Sequence, residues 1–293
     1  MKGELFYPRR NFAAIPQQHA DFETSQVVIL PVPYDGTTDW KSGTREGPLA
    51  IIDASQQLEL YDHELGRELH LVGIHTLPEL QPSKSGPEQT IERVYQVTSD
   101  LVGRGKFVVM LGGEHSLTVG AVRAHAQKFH RLSVLQLDAH ADLRDEYEGT
   151  KYSHACVMRR VLEYCPIVQV GIRSLSLEEH QFLVQNQMKP FFAQGNIWDD
   201  DCLDRIVSSL SDEVYITIDL DVFDSSIMPA VSTPQPGGMG WYEVLNLLRR
   251  VATKKSIVGF DVVELCPREG PASCAFLAAK LSYKLIGFST SSP

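Results

Sequence analysis

The sequence predicts an α/β protein in which a largely parallel β-sheet is covered by helices on both faces. Short apolar runs alternate along the chain with segments of helical periodicity. No hairpin signal joins neighbouring runs, so helices are expected to connect the strands, as they do in parallel sheets. A chain of 293 residues that is 43% hydrophobic is long enough to bury a core of this kind.

The apolar runs and the periodic segments give the elements in order. The predicted strands cover residues 27–32, 69–74, 107–111, 131–137, 167–172, 214–218 and 256–260. Helices are predicted from Pro48, over 87–103, after a possible cap at Ser116, and over 177–187, 200–210, 241–252 and 272–286.

The chain is predicted to form one domain over residues 1–293, because no repeat, low-complexity linker or charge block divides it. Residues 1–24 are expected to be an irregular N-terminal arm, since they contain two prolines and few periodic apolar positions.

Composition argues against several classes of partner. The formal net charge of −10 disfavours binding to nucleic acid or to an anionic membrane. Five cysteines without a Cys-x-x-Cys pair disfavour a disulfide framework, and no apolar stretch is long enough to span a bilayer. We therefore expect a cytoplasmic protein without nucleic-acid or membrane partners.

A candidate metal site follows the predicted strand 131–137. Asp138, His140 and Asp142 are spaced by two, and in an extended chain alternate side chains leave on the same face. The three could therefore converge on one point. A polar strand edge with a capping residue would show the same local pattern.

Other strands also end in groups that can ligate a metal or act as acids and bases: His115, Asp219, Asp221 and Glu264. Ligands of open α/β sheets bind beyond the carboxyl ends of the strands. Four carboxylates and two imidazoles, without Glu264, exceed what one tetrahedral zinc needs, and oxygen-rich ligation favours an ion such as manganese. Two ions that share bridging carboxylates could activate a water for hydrolysis.

Four segments together resemble the signatures of the ureohydrolases, the family of arginase and agmatinase: 112–116, 138–142, 219–224 and 259–264. The resemblance implies a three-layer α/β/α fold and two Mn²⁺ ions per subunit. It places one ion on His115, Asp138, Asp142 and Asp219, and the other on His140, Asp138, Asp219 and Asp221. Asp138 and Asp219 would then be the bridging ligands.

The resemblance also implies two catalytic residues. Glu264 would lie against the guanidinium group, which a carboxylate can orient by paired hydrogen bonds. His154 would shuttle protons, a role suited to imidazole. Without the resemblance, His154 would be interpreted as a solvent-exposed loop residue. Glu264 could be a surface-loop acid, but its position after a buried strand argues against that interpretation.

Other polar residues are interpreted as structural. Asp224 and Asp261 are expected to support ligands or cap backbone groups. His125 and His130, on a predicted helix, are expected to be surface or packing residues, and Cys156 is expected to pack in the interior.

Two positions distinguish the chain from arginases, which bind the α-amino and α-carboxylate groups of their substrate. Arg144 and Ser176 stand where arginases typically carry Asn and Asp, so agmatine is the expected substrate, with putrescine and urea as products. The distal ammonium of this small cationic guanidino substrate could meet the acidic loop 145–148, although such a loop is often only solvated.

Other functions remain open at this stage. The metal motifs do not separate an agmatinase from a guanidinobutyrase, an arginase or a formimidoylglutamase. A catalytically silent relative that serves in binding or assembly is a further alternative. The resemblance also implies a homo-oligomer, a trimer or a hexamer.

Overall fold

A computed structural model of the chain describes residues 10–194 and 198–290. In chain order its strands are β1 Val27–Val32, β2 Tyr61–Asp62, β3 Arg67–Glu68, β4 Ile74–Thr76, β5 Phe107–Gly112, β6 Leu132–Leu137, β7 Ile167–Ile172, β8 Phe191–Phe192, β9 Glu213–Asp219 and β10 Ser256–Val263. The helices are α1 Gly47–Ser55, α2 Pro87–Gly103, α3 Thr118–Lys128, α4 Val157–Val161, α5 Leu177–Gln185, α6 Asp200–Ser209, α7 Trp241–Lys254 and α8 Ala272–Ser289.

Eight strands form one sheet in the order β4-β1-β5-β10-β9-β6-β7-β8, and every neighbouring pair is parallel. Because the strands are parallel, their carboxyl ends lie along one edge. The four central strands, β5, β10, β9 and β6, precede the segments that carry the candidate ligands. The topology therefore gathers groups that lie far apart in the sequence.

The sheet is buried on both faces. Every residue of β1 is buried, and alternate side chains point to opposite faces. Val27 and Ile29 pack in a core with α1, α6, α7 and α8. Val28 and Leu30 pack in a second core with α2, α3, α4 and α5. The protein thus has three layers, helix, sheet and helix, and the predicted fold class is confirmed.

Some elements differ from the sequence-based prediction. The run 69–74 is a 3₁₀ turn, Leu69–Val72, followed by β4. Gly73 between them has φ +75°, a conformation that interrupts a strand. The short β2–β3 hairpin, β8 and α4 were not predicted, because two to five residues are too few to show a periodic pattern.

The N-terminal segment that the structure describes, 10–24, contains two 3₁₀ turns, Phe12–Ala14 and Gln17–His19. Phe12 is fully buried, and its ring centroid lies 6.4 Å from that of Tyr283 on α8. Residues 1–9 of the predicted arm lie outside the described residues. No helix among the described residues is long and apolar enough to cross a membrane.

Candidate active site

The candidate site lies at the carboxyl ends of the four central strands, around a cavity of about 280 Å³. The cavity is lined by four of the candidate ligands, His115, His140, Asp142 and Asp219. His154, Glu264, Arg144 and Ser176 line it too, so every predicted catalytic and substrate residue faces one space. Asp138 and Asp221 lie beneath, fully or almost fully buried.

His115 enters the site from the turn after β5. A Cβ atom on Gly113 would lie 1.9 Å from the backbone oxygen of Tyr34, so this close approach of two backbones requires glycine. The backbone N–H of His115 donates to Glu264 Oε1 at 2.6 Å. The turn thereby holds the imidazole and the predicted substrate carboxylate side by side.

The ring of His115 faces three carboxylates. Its Nδ1 lies 3.1 Å from Asp138 Oδ2, 3.1 Å from Asp142 Oδ2 and 3.4 Å from Asp219 Oδ2. Burial alone would lower the pKa of His115, but the proximity of these carboxylates, Asp138 above all, outweighs it and raises the pKa well above its ordinary value. The surroundings of Nδ1 therefore attract positive charge.

The contacts of the opposite ring nitrogen of His115, Nε2, determine which nitrogen faces the carboxylates without a fixed hydrogen. His115 Nε2 lies 2.9 Å from Thr217 Oγ1, whose hydroxyl donates to the buried Asp261 at 2.6 Å. Because that proton is committed to Asp261, Thr217 accepts from Nε2–H, which leaves Nδ1 as the nitrogen that can offer its lone pair to a cation. Nδ1 is buried and has no hydrogen-bond partner among the described residues. A lone pair surrounded by carboxylate oxygens fits a bound cation.

A second group of ligands surrounds His140. Its Nδ1 lies 2.8 Å from Asp221 Oδ2 and 3.7 Å from Asp138 Oδ1. Burial alone would lower the pKa of His140, but the nearby charge of Asp221 outweighs it and raises the pKa to about 11. Two sets of three residues, one with His115 and Asp219 and one with His140 and Asp221, share Asp138. Asp138 thus faces both sets.

Asp142 reaches the site by a different route from the one the spacing suggested. β6 ends at Leu137, and Asp142 has φ +55°, so the segment bends instead of continuing as an extended chain. Aspartate tolerates this left-handed conformation better than most residues. The backbone oxygen of Asp142 accepts from the N–H of Met158 on α4, which holds the bend. Asp138 and Asp142 therefore meet at His115, whereas His140 lies with Asp221, and alternation along a strand does not produce this arrangement.

Glu264 follows β10 with φ +66° and is almost completely buried. Its Oε2 accepts from the hydroxyl of Ser232 at 2.9 Å. Burial is the main cause that raises the pKa of Glu264 to about 7. The structure therefore does not support reading Glu264 as a surface-loop acid.

His154 is half-buried at the wall of the cavity, on the 3₁₀ turn before α4. Its Nδ1 lies 3.3 Å from the hydroxyl of Thr37 and 3.3 Å from that of Ser153. Thr37 in turn donates to the buried Glu114. Sequence reasoning missed Thr37 and Glu114, because nothing local shows that a loop after β1 meets a turn 117 residues away.

The predicted substrate residues have other contacts as well. The Arg144 guanidinium lies 4.9 Å from the centre of the Tyr147 ring. Ser176 caps α5, accepting from the N–H of Glu179 at 3.3 Å. In the acidic loop, Asp145 pairs with Arg160 at 2.6 Å instead of lining the cavity.

A carboxylate that was not singled out from the sequence does line the cavity. Asp39, in the loop after β1, accepts from the Tyr147 hydroxyl at 2.5 Å. Burial alone would raise the pKa of Asp39, but the Tyr147 hydrogen bond and the nearby His154 lower it below its ordinary value. The wall of the cavity thus carries an additional negative charge.

The residues interpreted as structural have structural contacts. Asp224 accepts from backbone N–H groups of its own loop, including that of Gly237 at 2.8 Å, and Asp261 supports Thr217. His125 is fully buried on α3, Cys156 is buried, and burial raises the pKa of its thiol to about 11. His130 lies after the end of α3, not on the helix.

Fold and side chains together define a class: a three-layer α/β/α protein with two adjoining sets of acidic and imidazole groups that could hold metal ions. Residues 25–287 match the sequence pattern of the Arginase family. The chain therefore belongs to the arginase family of ureohydrolases, and the predicted resemblance and hydrolase class are confirmed.

Individual relatives give the same result. The chain is 39% identical to N(1)-aminopropylagmatine ureohydrolase of Synechocystis sp., covering 94% of this chain and 95% of that protein. It is 34% identical to agmatinase of Pyrococcus horikoshii, covering 97% and 99%. The crystal structure of agmatine ureohydrolase of Thermoplasma volcanium superposes with a TM-score of 0.87 at 34% identity, over 98% of this chain and 96% of that one.

Proposed function

We propose that this protein releases urea from agmatine, or from the related N(1)-aminopropylagmatine, at a centre that holds two manganese ions. One observation carries the proposal. A buried imidazole lone pair facing three carboxylates, a second imidazole–carboxylate set and Glu264 all surround the same small cavity. Membership of the arginase family supports this use of the site.

Six residues of the chain would hold the two ions: His115, Asp138, His140, Asp142, Asp219 and Asp221. Their chemistry, four carboxylates and two imidazoles, suits manganese better than a thiolate-preferring ion. The lone pair of His115 Nδ1 and the position of Asp138 between the two sets fit two cations that share a ligand. When bound, such a pair of ions supplies an activated water as the nucleophile and stabilises developing negative charge.

The residues around the ions have separate tasks. Glu264 can accept hydrogen bonds from a guanidinium group and so orient it, while Ser232 and the N–H of His115 hold the carboxylate in place. After attack on the guanidino carbon, the C–N bond to the alkyl amine breaks and the leaving nitrogen needs a proton. The His154 ring can deliver that proton from the cavity wall.

The proposed substrate has an amine tail. Asp39 offers a carboxylate to a distal ammonium, whereas Asp145 in the acidic loop is already paired with Arg160. Ser176, which stands where arginases typically carry an Asp, is engaged in capping α5. N(1)-Aminopropylagmatine is a second candidate substrate, because the chain is 39% identical, over nearly its whole length, to the Synechocystis protein named N(1)-aminopropylagmatine ureohydrolase.

A urea-release assay with manganese tests this proposal. The panel comprises agmatine, N(1)-aminopropylagmatine, arginine and guanidinobutyrate, together with formimidoylglutamate, for which formamide is measured because a formimino group cannot yield urea. We expect the highest kcat/KM for one of the two amine-tailed compounds. Faster turnover of arginine than of either would contradict the substrate assignment, and neither urea nor formamide from any compound would favour a silent binding or assembly protein.

The same panel tests the role of Asp39. Asp39→Asn is expected to raise KM for the preferred amine-tailed substrate at least about tenfold, since a charge-assisted hydrogen bond contributes roughly 1.5–3 kcal/mol and about 1.4 kcal/mol corresponds to a factor of ten. Because guanidinobutyrate carries no distal ammonium, its KM should not rise. Glu148→Gln is the matched control, because Glu148 is an exposed acid next to Tyr147 in the chain and does not line the cavity. Equal effects of both variants on all substrates would contradict a specific contact.

A further inference from the structure

A buried carboxylate next to the site has no part in the mechanism described so far. Glu114, which lies between Gly113 and His115 in the chain, is completely buried. It accepts from the N–H of Thr37 at 2.7 Å, from the Thr37 hydroxyl at 2.6 Å and from the Ser116 hydroxyl at 2.5 Å. A buried carboxylate with several donors arranged around it forms a fixed anchor.

The loop that carries Thr37 is held on this anchor by its backbone. The N–H of Glu114 donates to the backbone oxygen of Tyr34 at 2.8 Å, and the N–H of Gly113 donates to that of Val32. The Thr37 hydroxyl therefore has a defined position relative to β5, although it belongs to a loop.

The hydroxyl of Thr37 also contacts His154 twice. It accepts from the backbone N–H of His154 at 3.0 Å and lies 3.3 Å from His154 Nδ1. A hydroxyl has one proton, and this one is directed at Glu114. Toward the ring Thr37 therefore acts as an acceptor, which requires a proton on Nδ1.

Ser153 is the other group near this nitrogen, 3.3 Å from Nδ1. Its hydroxyl can also accept from Nδ1–H, so a protonated Nδ1 satisfies both neighbours. With an unprotonated Nδ1, the lone pairs of Nδ1 and Thr37 would face each other. The Thr37 contact therefore favours the tautomer with hydrogen on Nδ1, and the Ser153 hydroxyl, which can accept or donate, is compatible with it.

We propose that Thr37, anchored by Glu114, is a positioning residue that orients the His154 ring and holds it in the Nδ1–H tautomer. Nε2 is then the nitrogen that takes up a proton and passes it to the leaving amine, which returns the ring to its neutral form. This inference rests on the proposed function, because it specifies how the proton-transferring group of that reaction is held.

Three variants test the proposal by kinetics. Thr37→Val keeps the shape of the side chain and removes the acceptor. We therefore expect kcat for the preferred substrate to fall at least about tenfold, with little change in KM. This loss is a part of the roughly 10²- to 10⁴-fold that acid–base catalysis contributes. Thr37→Ser should restore most of kcat. Thr38→Val is the matched control, because the Thr38 hydroxyl bonds the backbone oxygen of Asp35 within its own loop, and its kcat should stay at the wild-type value.

A spectroscopic measurement tests the tautomer independently of activity. In nitrogen-15 NMR of protein free of paramagnetic manganese, the His154 ring is assigned from the signal that His154→Gln removes. We expect a protonated Nδ1 in the wild type and in Thr37→Ser, and loss of that single tautomer in Thr37→Val. An unchanged tautomer and an unchanged kcat in Thr37→Val would overturn the proposal while the wild type remained active. An inactive wild type with the expected tautomer would instead overturn the proposed function alone.

Discussion

Two threonine hydroxyls contact the rings of His115 and His154 in the same way. Thr217 donates to Asp261 and accepts from His115. Thr37 donates to Glu114 and contacts His154. In each case a buried carboxylate takes the hydroxyl proton, so the hydroxyl oxygen can only accept from the ring. The ring nitrogen that faces the threonine therefore carries the hydrogen in the neutral ring, and the opposite nitrogen is available to a metal or a substrate.

Removing the hydroxyl of Thr217 is expected to weaken metal binding. Thr217→Val leaves His115 Nε2–H without its acceptor, and loss of such a supporting group typically lowers metal affinity about 10- to 100-fold. Titration calorimetry with manganese measures this change, and Thr217→Ser should bind nearly as well as the wild type. Equal affinities for Thr217→Val and the wild type would contradict the role assigned to the hydroxyl.

The sequence predicts some of the individual site residues and not others. His115, Asp138, Asp219 and Glu264 were identified because each lies at or just after the end of a buried strand, a position visible in the chain itself. Thr37 and Asp39 were not, because their contacts depend on the path of a loop. No local pattern encodes which distant turn a loop will meet.

Among the strands and turns, too, some features could be predicted from the sequence and others could not. Long apolar runs such as β5 and β10 were predicted because a strand buried on both faces has a distinctive composition. The bend that directs Asp142 to His115 was not, because it depends on a left-handed residue held by α4. Strands thus determine where the site lies, and turns determine how its side chains point.

The packing of α3 against β10 involves a buried histidine. His125 is fully buried, and its Nδ1 donates to the backbone oxygen of Ala121 at 2.8 Å. A Cβ atom on Gly259 would lie 2.5 Å from His125 Nε2, so glycine makes room for the ring. Burial lowers the pKa of His125 from 6.5 to about 4.

This packing predicts a loss of stability in acid. The unfolded chain binds a proton at His125 below about pH 6.5, whereas the folded protein does not bind it until about pH 4. The free energy of unfolding should therefore fall as the pH drops through this range, by up to about 3 kcal/mol from this residue. Denaturant unfolding at several pH values should show a shallower fall for His125→Phe.

A control separates this effect from the titration of other groups. His180 is an exposed histidine on α5, and His180→Gln should leave the pH dependence of unfolding as it is in the wild type. If His125→Phe and the wild type lost stability in parallel as the pH fell, a neutral buried ring would not be the cause.

For the whole molecule, the strand order explains why one site forms. The four central strands contribute groups separated by up to 149 residues, as the contact between His115 and Glu264 shows. Helical layers on both faces exclude water from the sheet, so the carboxylates of the site are grouped at one buried edge. Such a concentration of negative charge is costly without bound cations.

The number of manganese ions bound per chain tests the central claim most directly. Protein stripped of metal, equilibrated with manganese and analysed for bound metal should hold about two ions per chain. Asp138→Asn, which changes the residue shared by both sets of ligands, should hold fewer and should lose urea release. A wild-type protein that binds no manganese, or an Asp138→Asn variant that binds two ions and keeps full activity, would contradict the account.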